Sequence, residues 1–147
     1  MTAIATYEGD KVFATLLATG TSADRPSSSG LLIGLFTVNL AVNTGTTYTG
    51  SGATSLSTSG NTPALTGGYA EQAIANGSWS ISSSGVMTST AVVFTASASW
   101  TYAIAGYYIR TTGGTTSRIV AIEVDPSGSW TMTPGSTYTV TPQITFA

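Results

Sequence analysis

Glu123 and Asp125 stand two residues apart in a predicted strand, a spacing that suggests carboxylate chemistry. In an extended strand it places both side chains on one face, with about 7 Å between their Cα atoms. A carboxylate dyad or a weak calcium site could use that separation. The alternative, which the sequence favours, is an acidic spot that is solvated or lies at a subunit contact. Asp125 with Pro126-Ser127-Gly128 has the residue preferences of a type I turn, which gives it a structural role.

Other catalytic groups are scarce. Histidine and cysteine are absent and lysine occurs once, at Lys11. Without histidine the commonest general base and most triads are excluded, and without cysteine there is no disulfide and no thiolate metal site. Lys11 falls in a predicted helix, where a solvated lysine is expected. The glycines fall in turns without the lysine of a phosphate-binding loop. We therefore expect no enzyme and no cofactor.

The three tryptophans Trp79, Trp100 and Trp130 could line a carbohydrate platform. Tryptophans in a β-domain are more often anchors of a core or of an interface. The sequence favours the second interpretation for all three.

The elements that would position these residues are mostly strands. The 147 residues are 41% hydrophobic and include 20 Ser and 28 Thr, which fits one folded domain over residues 1–147. The pattern predicts an antiparallel β-sandwich or jelly-roll. Val12 to Leu17 predicts one short N-terminal helix, within a helix and loop arm over residues 1–30, and residues 39–68 form a long Gly/Thr-rich loop. The predicted strands are Leu31–Val38, Tyr69–Ala75, Trp79–Ser82, Val86–Ser97, Thr101–Thr111, Arg118–Asp125 and Trp130–Phe146, the last bent near Pro134-Gly135.

The clearest predicted hairpin has Gly113-Gly114 as its two-residue loop. That loop would pair Ile104 with Glu123 and Arg110 with Ser117. One face, the core side, would carry Ala103, Ala105, Tyr107, Ile109, Val120, Ile122 and Val124. The other face mixes rings with charges, which suits an edge or a subunit boundary; it would carry Tyr102, Ile104, Tyr108, Arg110, Ile119, Glu123 and Asp125.

The last segment, Thr137 to Ala147, alternates with a strict period of two. Tyr138, Val140, Pro142, Ile144 and Phe146 form an apolar face, whereas the opposite face is polar but uncharged. Only 7% of the chain is charged, against about a quarter in ordinary soluble domains. Hydroxyl faces can contact another chain without the cost of burying charge. We therefore expect the threonine face to be covered by other copies in a symmetric assembly.

Charge and hydropathy exclude two classes of partner. The net charge is −2 and there is no run of Lys or Arg, which argues against nucleic acid. The longest apolar stretch, Leu31 to Val42, is too short and too interrupted to span a bilayer, so no membrane is expected. The N-terminus lacks the features of a secretory signal, which predicts synthesis in a cytosol.

The order of segments resembles a group of small tailed-phage virion proteins, described as head-decoration (cement) or tail-fibre-like proteins. The likeness lies in "LLIGLFT", "GGYAEQAI", "VMTSTAVVF", "WTYAIAGYYI" and the closing alternating strand. Gly68-Tyr69-Ala70 matches the group's Gly-Tyr-Ala motif. Where such proteins often continue with arginine this chain has Glu71, and Arg110 stands where an acidic residue is common. An ion pair with its charges swapped is conceivable at these two positions.

The resemblance implies a homotrimer on the capsid surface of a virion, made in the host cytoplasm, that clamps the major capsid protein. The N-terminal segment and the loop over residues 39–68 are candidates for the capsid-facing and trimer-facing elements, with the tip at Gly113-Gly114 exposed. The candidate residues for subunit or capsid contact are Tyr69, Glu71, Tyr102, Tyr108, Arg110 and Glu123. The alternative is a tail-fibre or receptor-binding module, in which the Gly/Thr-rich loop with Trp100, Tyr107 or Tyr108 contacts a host glycan.

Overall fold

The computed structural model of the chain describes residues 3–5, 31–37, 67–84, 86–101, 103–111, 119–127 and 130–145, with the backbone alone for residues 3–5. Within these ranges the chain is mainly β, as the sequence predicts. The one helical element described is a single 3-10 turn at Asn76–Ser78. The predicted helix from Val12 to Leu17 lies outside the described residues. The strands are β1 Ala3–Ala5, β2 Leu31–Phe36, β3 Gln72–Ile74, β4 Trp79–Ile81, β5 Val86–Ser89, β6 Val92–Thr95, β7 Gly106–Thr111, β8 Ile119–Val124, β9 Thr137–Val140 and β10 Gln143–Thr145.

Eight of these strands form one sheet in the order β3-β2-β7-β8-β1-β10-β5-β4, and β6 pairs with β9 in a second sheet. Neighbouring strands are antiparallel except β1 and β10, which are parallel. The predicted antiparallel pairing is therefore confirmed for every described pair but this one. Residues Ala3–Ala5 also differ from the predicted helix and loop arm, because they form a strand between β8 and β10.

The large sheet curls strongly. Strands β3 and β4 lie at its opposite edges, yet only Ala75–Ser78 connects them. Five Cα–Cα steps from Ile74 to Trp79 reach at most about 19 Å. Seven strand spacings in a flat sheet would separate the two edges by about 33 Å. The sheet must therefore bend enough to bring the end of β3 at Ile74 within about 19 Å of the start of β4 at Trp79.

Strands β5 and β6 run beside β9 and β10 as one long, bent ribbon. The sequence predicts single strands here, but the ladder breaks at Thr90-Ala91 and at Thr141-Pro142. Pro142 has no N–H to donate, although its carbonyl accepts a hydrogen bond from the Ser89 N–H at 3.0 Å. The interruption lets the first half of the ribbon join the large sheet and the second half form the small one.

The alternation predicted for the last segment is confirmed across this break. Val140, Pro142 and Ile144 are buried, and the threonines on the other face are exposed. The exposed threonines are Thr137, Thr139, Thr141 and Thr145. Only the intermediate exposure of Tyr138 and Gln143 departs from a strict pattern.

The predicted register of the β7–β8 hairpin is wrong. Tyr107 lies opposite Glu123 and Tyr108 opposite Ile122, and the register shifts between Ile109 and Arg110. Relative to the predicted pairing this is a slip of three residues, and a slip by an odd number exchanges the faces of one strand against the other. Glu123 thus shares a face with Tyr107. The predicted register placed these two residues on opposite faces.

Both faces of β7 are buried, so the predicted contrast between a core face and a boundary face is also wrong. The larger core cluster lies on the Tyr107 side and combines both sheets, with Ile33, Leu35 and Ile109 from the large sheet and Phe94 and Val140 from the small one. The smaller cluster lies on the Tyr108 side. It contains Phe36, Ala105, Tyr108, Ile119 and Ile122.

Candidate functional site

Glu71 and Arg110 form a two-pronged ion pair. The Arg110 Nε donates to Glu71 Oε1 at 2.8 Å, and a terminal guanidinium nitrogen donates to Oε2 at 2.5 Å. Tyr108, two residues before Arg110 on β7, donates its hydroxyl to the same Oε1 at 2.7 Å. The side chains are 18% (Arg110) and 23% (Glu71) exposed, so the pair is largely shielded from solvent. Burial raises the pKa of Glu71, but the bonds from Arg110 and Tyr108 outweigh burial and hold that pKa below its ordinary value.

Tyr69, whose hydroxyl also interacts with Tyr108, extends this network into the core. Its hydroxyl accepts the Leu35 N–H at 2.9 Å. Leu35 lies on β2 beyond the residues that pair with β3, so Tyr69 supplies an acceptor where β3 has ended. Burial raises the pKa of Tyr69 to about 12 and raises that of Tyr108 as well, so both phenols stay protonated at neutral pH. The Tyr69 ring also packs edge-on against Trp100, with 5.5 Å between the ring centroids. The network fixes the segment before β3 onto β2 and β7.

Gly34 leaves room for this arrangement. It lies directly opposite Tyr108 in the β2–β7 register, and a Cβ at Gly34 would collide with the Tyr108 ring and hydroxyl. Gly34 was not among the residues that the sequence indicated as functional. The available signal was a glycine inside an apolar strand, which often marks a close approach.

Asp125 forms a second buried polar site at the end of β8. Its Oδ1 accepts the Ser127 N–H at 2.8 Å, which confirms a turn role for this residue. Its Oδ2 accepts the Trp130 indole N–H at 2.9 Å and the Tyr138 hydroxyl at 2.8 Å. Burial raises the pKa of Asp125, but these bonds outweigh it and leave that pKa below the ordinary value. A carboxylate surrounded by three donors is held by the protein itself and is poorly disposed towards a cation.

Glu123 is buried on the same face as Tyr107. Burial first, and then the neighbouring Glu123, raise the pKa of Tyr107. The two carboxylates of the sequence pattern therefore lie in the protein interior and not in a solvated acidic spot. Among the described residues no three acidic, His or Cys side chains gather into a group that could hold a metal ion.

A shallow depression of about 180 Å³ opens beside Trp100 and is lined by Tyr69, Gln72, Phe94 and Thr95 among others. The rings of Tyr69, Phe94 and Trp100 are themselves buried, and the Trp100 indole N–H donates to the Gly67 carbonyl at 3.0 Å. These rings act as core anchors. They present too little surface for a sugar to stack on.

The outer face of the small sheet is exposed and carries no charge; we call it the β6–β9 face. It consists of Val93, Thr95, Thr137 and Thr139, which lie opposite one another in register and are exposed. Val93 is 50% exposed, a large fraction for an apolar strand residue. The opposite side of the same two strands supplies Phe94 and Val140 to the core.

The structure brings together four of the six predicted contact residues: Tyr69, Glu71, Tyr108 and Arg110 form one network. Glu123 lies apart from them, and Tyr102 lies outside the described residues. Tyr69, Tyr108 and Glu123 are buried, and all five described residues interact with this chain's own groups. Their contact with another chain stays a prediction. The β6–β9 face and Ile81, which is 71% exposed, offer far more accessible surface.

In the described part of the chain, no helix has the length and hydropathy needed to cross a bilayer. Comparison of the chain with protein-family models, with curated proteins and with solved structures found no match.

Proposed function

We propose that this chain is a non-enzymatic structural protein of a tailed-phage virion, a decoration (cement) protein that binds the assembled capsid and stabilises it. It acts on the capsid surface as a homotrimer, after synthesis in the host cytoplasm. Its partners are further copies of itself and the major capsid protein. The proposed fold is a β-sandwich or jelly-roll, supported by the curled large sheet and by a core that the small sheet shares.

The observation that carries this proposal is the exposed, uncharged β6–β9 face. Val93, Thr95, Thr137 and Thr139 can be covered by another protein without desolvating an ion, which would cost several kcal/mol per unpaired charge. Threonine also favours the pleated surface that such packing needs. Together with the scarcity of charge and the resemblance in segment order, this face supports a role in a dense assembly of identical subunits.

Stabilisation then follows from mass action. A protein that binds the assembled shell and not its separated subunits lowers the free energy of the shell by RT ln(1 + [L]/Kd). This mechanism requires neither a catalytic residue nor a cofactor. Dense binding also benefits from weak charge repulsion between neighbours.

The first test is self-association of the purified chain by analytical ultracentrifugation. We expect a trimer, or a larger assembly built from trimers, at micromolar concentration. We expect Thr139→Glu to weaken the threefold contact, because the new carboxylate must be desolvated there. Thr139→Ser keeps the hydroxyl and should assemble as the wild type does. A wild-type chain that is a stable monomer at micromolar concentration would contradict the proposal.

The second test is copy number in purified virions. A gel band as intense as that of the major capsid protein supports decoration. A faint band supports the tail location, and absence from the virion rules out both.

A further inference from the structure

Strand β4 lies at an edge of the large sheet, and no described strand pairs with its outer side. Among the described strands its one neighbour is β5, which pairs Trp79 with Ser89 and Ile81 with Met87. The Thr90 N–H donates to the Ser78 carbonyl at 3.1 Å, and the Ser82 N–H donates to the Val86 carbonyl at 2.9 Å. Backbone groups alternate in direction along an antiparallel strand. Those of Trp79 and Ile81 therefore point away from β5, towards the open side.

This edge lacks two common protections against pairing, a charged side chain and a proline. Edge strands are often protected by such residues, by bulges or by a short length, and of these β4 has the short length, three residues. The sequence from Gly77 to Ser84 contains neither a charged residue nor a proline. Ser80 is exposed, and Ile81 exposes 71% of its surface. Ile81 lies opposite Met87, which lies opposite the core residue Ile144, so Ile81 is on the core side of the sheet.

We propose that β4 pairs with β4 of a second copy of this chain, antiparallel and centred on Ser80. In this register Trp79 lies opposite the partner subunit's Ile81, and Ile81 opposite the partner subunit's Trp79. The outward N–H and C=O groups of Trp79 then form hydrogen bonds with the partner subunit's Ile81, and those of Ile81 with the partner subunit's Trp79. Each exposed isoleucine packs beside an indole that is already half-buried.

A second copy fits this edge because the register is self-complementary. A twofold contact requires each residue to meet a suitable residue of the same surface. Here the two apolar residues exchange places across the axis and the small, neutral Ser80 meets itself. No like charges face each other, as they would if the edge carried a lysine.

The contact is separate from the β6–β9 face and does not depend on a virion role. It joins copies through a twofold axis, whereas the proposed trimer uses a different surface. A substitution in one of the two interfaces should therefore leave the other intact.

Disulfide trapping tests the register directly, because the natural chain contains no cysteine. In the proposed pair Ser80 and the partner subunit's Ser80 are a non-hydrogen-bonded pair, with Cα atoms about 4.5 Å apart, within the range that a disulfide spans. We expect Ser80→Cys to form a covalent dimer on mild oxidation. Ser83→Cys is the matched control: it is also exposed, but its two copies would lie about 20 Å apart. Equal cross-linking of the two variants would overturn the proposal.

Ile81→Pro tests the hydrogen bonding. The N–H that proline removes is the outward one, so the ladder to β5 stays intact. We expect at least about a tenfold weaker twofold association by sedimentation and an unchanged β circular-dichroism spectrum. Ile81→Lys should weaken it similarly, and Ile81→Val should not. Unchanged association of a folded Ile81→Pro or Ile81→Lys chain would also overturn the proposal.

The two interfaces are distinguished by combining variants. Thr139→Glu in the Ser80→Cys background should leave the cross-link intact even where it abolishes the trimer. Loss of the cross-link in that background would show that β4 pairing is not an independent contact, contrary to the proposal.

Discussion

Arg110 donates one hydrogen bond to each carboxylate oxygen of Glu71, although 39 residues separate the two along the chain. Parallel bonds of this kind are stronger and more directional than a single contact between charges. Because Tyr108 donates to the same carboxylate, loss of Glu71 leaves two donors without their acceptor. The pair therefore joins the segment before β3 to β7.

A double-mutant cycle should reveal this coupling. We expect Glu71→Gln and Arg110→Gln each to lower the free energy of unfolding, and the double variant to lose less than the sum. The coupling should fall at about 0.5–3 kcal/mol, the range for residues in direct contact. Urea unfolding of the four proteins measures it, and additive losses would contradict a direct interaction.

Exchanging the two charges is the complementary experiment. The double variant Glu71→Arg with Arg110→Glu restores opposite charges with their positions exchanged. We expect it to be more stable than either reversal alone, since each single reversal places like charges together. It should remain less stable than the wild type, because Tyr108 no longer faces a carboxylate at position 71.

The close approach of Tyr108 to Gly34 gives a further prediction. Gly34→Ala would place a methyl group against the Tyr108 ring, and forcing such a group into a packed site costs about 1–3 kcal/mol. Gly77→Ala is the control, because no heavy atom lies within 4 Å of the position its Cβ would occupy. We expect its stability to stay within about 0.5 kcal/mol of the wild type. Equal effects of the two substitutions on thermal unfolding would show that Gly34 is not sterically required.

The inner and outer faces of the last segment were predictable because one of them is exposed to solvent. Val140 and Ile144 are buried and Thr139 and Thr145 exposed, so local alternation alone distinguishes the inner from the outer side chains at these positions. The break at Pro142 was not predictable from that pattern, because proline falls on the apolar face and keeps the period.

The β7–β8 register was not predictable for the opposite reason. Ile119, Val120, Ala121 and Ile122 are consecutive apolar residues and all are buried. A strand that is apolar on both faces has no period of two to fix its register. The wrong register then placed Glu123 on the wrong face relative to Tyr107.

The polar network around Glu71 was accessible only in part. No local signal links Glu71 with Arg110 or Tyr69 with Leu35, since 39 and 34 residues separate them. The suggestion of a swapped pair came from the resemblance in segment order. The partners of Asp125 were missed as well, although Tyr138 and Trp130 lie only 13 and 5 residues away.

Alkaline pH should destabilise the fold. The pKa of Tyr69 is raised to about 12 by burial, and the pKa values of Tyr107, Tyr108 and Tyr138 are raised too. A raised folded-state pKa contributes stability that is complete below the unfolded value of about 10 and is lost as pH rises through the folded value. We expect stability to fall above about pH 10. Ultraviolet titration should show these four of the seven tyrosines ionising late in the folded protein; ionisation of all seven at their ordinary pKa would contradict their burial.

Acid pH acts through Asp125 in the opposite direction. Its pKa is depressed, since the donors from Ser127, Tyr138 and Trp130 outweigh burial. Its contribution is therefore present above the unfolded pKa of about 3.9 and is lost as pH falls below it. Asp125→Asn should lower stability at pH 7 by about 1–3 kcal/mol, since an amide cannot accept from all three donors. The substitution should also reduce the loss in free energy of unfolding between neutral and acid pH. An unchanged loss would show that other carboxylates cause it.

The assignment of inner and outer faces in β10 can be tested at two adjacent positions. Ile144 is 1% exposed and packs in the larger core cluster, whereas Thr145 is exposed on the other face. Ile144→Asp removes an apolar group worth about 1.5–3 kcal/mol and adds a buried charge without a counter-ion. We expect it to abolish folding, measured as loss of cooperative unfolding, and Thr145→Ser to be nearly silent. Thr145→Asp is the sharper control, because the same charge on the outer face should leave the chain folded. A soluble, cooperatively unfolding Ile144→Asp chain would reverse the two faces, and with them the inward orientation of the strand beside β1 and β5.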